Sequence, residues 1–85
     1  KLTESHERLI GKWTEKFIAN GDKLTENRKR MLLLMIANPY ISKEELSKTI
    51  GISIAAISAN ISVMRGKYLN RVGPDKGGFW EVIID

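Results

Sequence analysis

Residues 42–64, SKEELSKTIGISIAAISANISVM, decide the fold. Ser42 caps a helix start, and Glu45 three residues on is its capping-box partner. Gly51 interrupts the pattern in the way a helix-ending glycine does. Ser53 opens a second helix, on which Ile57, Ile61 and Met64 share one face. Two short helices joined by a glycine turn are the unit that sets its second helix into the major groove of DNA. Nucleic-acid binding is the leading expectation from this stretch alone.

On the N-terminal side, Lys23-Leu24-Thr25-Glu26 begins a helix that runs to about Asn38 and is stopped by Pro39. Its centre, MLLLMIA at 31–37, is apolar on every side, which predicts burial on more than one face. The same four residues occur as Lys1-Leu2-Thr3-Glu4. Both copies read as helix starts, with threonine as the cap and glutamate in the first turn. After the first copy, Leu9, Ile10, Trp13 and Phe17 line one helical face, which Leu2 and His6 extend. Asn20-Gly21-Asp22 ends that helix. This stripe is expected to cover the second side of 31–37, from this chain or from a partner, so Leu9, Trp13 and Phe17 are candidate interface residues. His6 reads as a packing residue rather than a ligand.

On the C-terminal side, Tyr40 and Ile41 read as short and extended, and the Ser53 helix runs to about Arg65, where Gly66 weakens it. Leu69 to Val72 reads as a strand, 73–78 as a turn and Phe79 to Ile84 as a second strand. Trp80, Val82 and Ile84 alternate with Phe79, Glu81 and Ile83, a hairpin pattern in which Trp80 closes the core. The predicted order is helix, helix, short strand, helix, helix, hairpin. The class is mainly α with a small β-hairpin (α+β): an amphipathic helix and turn over 1–23, then a domain over 24–85.

Eighty-five residues hold one core. The chain has no cysteine and one histidine, which excludes disulfides, thiolate metal sites and a histidine cluster or triad. The carboxylates are scattered and no acid, base and nucleophile converge, so neither an enzyme nor a cofactor is expected. No apolar run approaches the ~20 residues of a membrane span, and nothing resembles a signal peptide. A cytoplasmic setting is expected, and Lys1 in place of a methionine suggests a piece of a longer polypeptide. The net charge of +4 suits a polyanionic partner. Nine of the 14 basic and six of the 10 acidic residues lie within 24–85, so the excess sits mainly with the two-helix unit.

Together, Gly51-Ile52-Ser53, then Ile57, Ile61 and Met64, then Leu69 and Arg71-Val72-Gly73 resemble a winged helix-turn-helix in spacing, over residues 24–85. The ending Arg71-Val72-Gly73-Pro74-Asp75-Lys76-Gly77-Gly78-Phe79-Trp80-Glu81-Val82 is more specific. It is similar to that of prokaryotic transcriptional regulators labelled RecG-like ATP-dependent DNA helicases, which carry an N-terminal AlbA-type (schlafen-like, divergent AAA) domain. Leu24-Thr25-Glu26-Asn27 is similar to that group's entry to its winged helix. The resemblance implies the C-terminal, duplex-DNA-binding module of a regulator attached to upstream domains. It does not imply hydrolysis here, because phosphoryl transfer needs a glycine-rich phosphate cradle with its lysine, and these residues have none.

On a wheel of about 100° per residue, Ala55, Ala59 and Ser62 of the Ser53 helix point outward, flanked by Ser58, Arg65, Ala56 and Val63. Ser53, Ala55, Ala56, Ser58, Ala59, Asn60 and Ser62 are therefore the candidate recognition residues. This face lacks the Arg, Lys and Gln side chains whose bidentate base contacts discriminate by ~1–3 kcal/mol each. Lys43, Lys48, Arg65, Lys67, Arg71 and Lys76 surround it and suit phosphate contacts, which position a protein without reading sequence. Arg28-Lys29-Arg30 is the only dense basic run. It suits either an approach to the DNA backbone or a solvated helix end. The alternative function is a protein-interaction module or homodimer, built on the Ile54, Ala55, Ala59 surface and the N-terminal aromatic helix.

Overall fold

The computed structural model describes residues 4–74 and 77–83. Three hydroxyl side chains start three helices by the same device. Thr25 Oγ1 accepts from the Arg28 N–H, Ser42 Oγ from Glu45 N–H and Ser53 Oγ from Ala56 N–H. Each such cap satisfies a backbone donor that the helix itself cannot pair, worth about 1 kcal/mol. The elements follow as α1 (Glu4–Ala19), α2 (Glu26–Ala37), α3 (Lys43–Ile50), α4 (Ile54–Met64), β1 (Leu69–Val72) and β2 (Phe79–Val82). The helical content and the antiparallel hairpin are those expected of the winged helix-turn-helix.

The turn between α3 and α4 is held by local chemistry. Gly51 ends α3 at φ 86°, ψ 29°, a left-handed conformation that costs other residues roughly 1–2 kcal/mol. The Ser47 hydroxyl donates to the Ile52 carbonyl and latches the turn from the other side. The two helices meet at 109°, within the ~90–120° of a helix-turn-helix.

Helix α4 stops at Met64, and the positive φ falls on Gly66, at 85°, so Tyr68 needs no unusual backbone. Gly66 N–H donates to Leu69 O and Tyr68 N–H to Met64 O, a tight turn that drives Tyr68 and Leu69 into the core. β1 and β2 pair antiparallel with Arg71 opposite Trp80. Trp80 is buried. Its indole N–H donates to Ile41 O and its backbone N–H to Pro39 O, which docks the hairpin onto the α2–α3 connection. Gly78 permits a close pass of the chain: a Cβ there would lie 2.6 Å from Val72 O and closer still to Pro74 O.

Two expectations are corrected. The short extended strand at Tyr40–Ile41 is a turn instead. Pro39 has no N–H to offer a ladder, and the Ile41 N–H is taken by Asn38 O, so a single bond to β2 remains where a third strand would pair. The second hairpin strand ends at Val82, although the Ile83 N–H still donates to Tyr68 O in the same register. Ile84 lies outside the described residues.

Met31, Leu32 and Met35 of α2 are wholly buried, while Leu33, Leu34 and Ile36 pack partly buried, so the helix is indeed enclosed on several sides. α3 and β2 pack against α2, and Leu46, Ile57, Ile61, Met64, Leu69 and Trp80 complete that part of the core. Trp13 and Phe17 of α1 are wholly buried in the same core. The Phe17 ring stacks on Tyr68 at 3.7 Å between centroids and 10° between planes. Phe17→Ala should therefore cost about 3–5 kcal/mol, whereas Ile18→Ala, next to it but 71% exposed, should stay within about 0.5 kcal/mol. Urea unfolding of the two variants checks the contrast, and equal, small effects would mean that α1 does not share the core.

Candidate nucleic-acid interface

The side of α4 turned away from Ile57, Ile61 and Met64 is open. Ser53, Ala55, Ala59 and Ser62 are exposed; Ala56, Ser58 and Asn60 are half-buried. Ile54, placed at the margin by the helical wheel, is 46% exposed and Val63 is 40% exposed, so this surface is more apolar than the wheel suggests.

Most of its polar groups already have partners. Asn60 Oδ1 accepts from Arg28 Nε at 2.9 Å, and Asn60 Nδ2 donates to Ala56 O at 2.9 Å. Ser62 Oγ donates to Ser58 O, and Ser53 Oγ is the helix cap. Asn60, the one amide among the candidate recognition residues, is thus tied to α2 and to its own helix rather than displayed. Arg28 makes a second bond, from Nη1 to Lys23 O, which gives the start of the basic run a structural part. Glu26 takes the other two members, Lys29 at 2.9 Å and Arg30 at 3.3 Å. Those contacts hold the Glu26 carboxyl below its ordinary range, Lys29 contributing most.

Of the cations expected to grip phosphates, three converge. Lys43 at the start of α3, Arg65 at the end of α4 and Arg71 on β1 line one groove of about 550 Å³, together with Tyr40, Ser42, Glu44 and Trp80. The Arg71 guanidinium lies 4.6 Å from the centre of the Trp80 ring, a cation–π contact that orients it. Lys48 is exposed in the last turn of α3 and does not line this groove. Lys67 does not line this groove and pairs with Asp22 at 3.2 Å. Lys76 lies outside the described residues.

Leu9, Trp13 and Phe17, candidates for an interface, are placed elsewhere: the two aromatic rings fill the chain's own core and Leu9 packs partly buried against it. Of the two sources left open for the cover of α2, it is this chain that supplies it. Reading the sequence missed Tyr40 as a groove residue and the Arg28–Asn60 link. The latter joins positions 32 apart, for which no local pattern exists. Among the described residues, no single helix is long and apolar enough to cross a membrane.

Residues 24–65 match the family model described as winged helix-turn-helix DNA-binding. The match starts one residue before the Thr25 cap and ends on Arg65, the C-cap of α4, so it spans α2, α3 and α4 and stops short of the hairpin. No curated protein and no solved structure matches the chain significantly.

Asp22, bonded to Tyr68 and Lys67, gives the stability of the fold a pH dependence. It accepts from the Tyr68 hydroxyl at 2.8 Å and from Lys67, and these bonds, the first above all, hold its carboxyl below the ordinary 3.8. A carboxyl that is more acidic folded than unfolded adds stability above its unfolded value and loses it as pH falls toward the folded one. Acidification from pH 5 through that range should therefore weaken the native protein by more than it weakens Asp22→Asn. Urea midpoints of both proteins across the range test this, and parallel acid limbs would refute it.

Proposed function

We propose that this winged helix-turn-helix holds duplex DNA with α4 along the major groove and with Lys43, Arg65 and Arg71 on backbone phosphates. The observation that carries the reading is the convergence of those three cations, from three different elements, on a groove that borders α4. Phosphate contacts of this kind supply affinity and register, while base edges are left to α4. The neutral outer face of that helix lets it approach a groove without burying an unpaired charge.

In this reading the domain is the DNA-binding part of a larger transcriptional regulator, attached to upstream domains and working as a dimer on a two-fold site. The larger regulator rests on the similarity of the Arg71–Val82 segment to the RecG-like group. In this reading the chain contributes binding and no catalytic step. The alternative of a protein-interaction module loses its aromatic component, since Trp13 and Phe17 are inside the core; the apolar surface around Ile54 is what remains of it.

Fluorescence anisotropy with a mixed-sequence duplex at several salt concentrations tests the proposal. Non-specific binding is expected at about 10⁻⁴–10⁻⁶ M near physiological salt, tightening as salt is lowered. Lys43→Gln and Arg65→Gln should each weaken binding on every sequence alike and reduce the slope of log K against log salt by about 0.9. Absence of binding at low salt, or slopes untouched by both changes, would overturn it.

A further inference from the structure

The outer face of α4 shows mainly methyl groups. Ile54 and Val63 stand exposed at its two ends with Ala55 and Ala59 between them. Three of the polar side chains along it are engaged within the protein, Asn60 at both ends of its amide, the Ser62 hydroxyl with Ser58 O and the Ser53 oxygen at the cap, which leaves the half-buried Ser58 hydroxyl. None of these is set up as a bidentate probe of guanine or adenine. The groove at the C-terminal end of α4, where Arg65 meets Lys43 and Arg71, argues for a polyanion along this helix rather than another apolar protein surface.

In the major groove, one base-edge group is matched by methyls: the C5-methyl of thymine. We propose that α4 reads pyrimidine C5-methyl groups, through Ala55, Ala59 and the flanking Ile54 and Val63, and so prefers thymine-bearing DNA. The proposal rests on the DNA-binding reading above, since it names what that same helix recognises. It needs no proton donor or acceptor from the helix, which fits the internal pairing of Asn60. Its selectivity comes from covering apolar surface, so it is graded and modest for each base.

The direct probe is removal of the methyl alone. Two duplexes of identical sequence, one with thymine and one with uracil on both strands, keep the same phosphates and the same hydrogen-bonding edges. The thymine duplex should bind about fourfold more tightly for each methyl contacted, with the salt slope the same for both. A G·C duplex should gain similarly when its cytosines carry a C5-methyl. Ala55→Ser, at an exposed position, should shrink the thymine-to-uracil ratio. Binding that is salt-sensitive but equal for thymine and uracil would overturn this inference and leave the phosphate grip standing. No binding to either duplex would overturn both. Concentration-dependent dimerisation abolished by Ile54→Glu, with no methyl effect, would assign the face to a second copy of the chain instead.

Discussion

Helix α2 has no polar side through its middle, and the rest of the molecule is arranged around that constraint. Met31, Leu32 and Met35 are wholly buried, and Leu33, Leu34 and Ile36 are partly so. Leaving such side chains in water forgoes ~1.5–3 kcal/mol for each large one. No single neighbour can cover a helix of this kind. The helical pair α3–α4 and the hairpin contribute part of the enclosure, and α1 contributes Trp13 and Phe17. The N-terminal helix is therefore an integral wall of this core.

Tyr68 is where α1 and the winged helix are fastened together. Its ring stacks on Phe17, its hydroxyl donates to Asp22, and Asn20 Nδ2 donates to the same hydroxyl. Burial is the main reason its phenol is less acidic than usual, so the hydroxyl stays protonated and available as a donor. The tight turn at Gly66 is what brings Tyr68 inward immediately after α4 ends. The orientation of α4 and the attachment of α1 thus depend on the same few residues. Among the described residues, the indole N–H of Trp13 is the one buried side-chain polar atom without a partner, which marks how strongly packing is favoured over polar satisfaction there.

Much of this was legible in the sequence because it is written in local chemistry. Thr25, Ser42 and Ser53 announce helix starts within three residues of the donors they satisfy, and Gly51 ends α3 where a left-handed residue is required. Alternation located Trp80 as an inward side chain of the hairpin. Features made by distant residues were not legible. The bond from Arg28 to Asn60, the closure of Asp22 on Tyr68, and the meeting of Lys43, Arg65 and Arg71 all depend on how elements pack. The stripe with Trp13 and Phe17 was readable as apolar, yet periodicity cannot say whose core an apolar stripe enters. Tyr40 was misread for a related reason: an extended pattern needs free backbone donors to become a strand, and beside Pro39 they are missing or already taken.

The pairing of Arg28 with Asn60 also bears on how α4 divides affinity from selectivity. A recognition helix that displayed its asparagine could read adenine through a bidentate contact. Here the amide instead bonds α2 and the α4 backbone, so the helix is held firmly but shows little hydrogen-bonding character outward. In the proposed reading the cations at the groove, Arg65 on the C-cap with Lys43 and Arg71, contribute phosphate contacts that do not depend on the bases. Under that reading base preference falls to shape and methyl contacts, which are weaker individually and add over several positions.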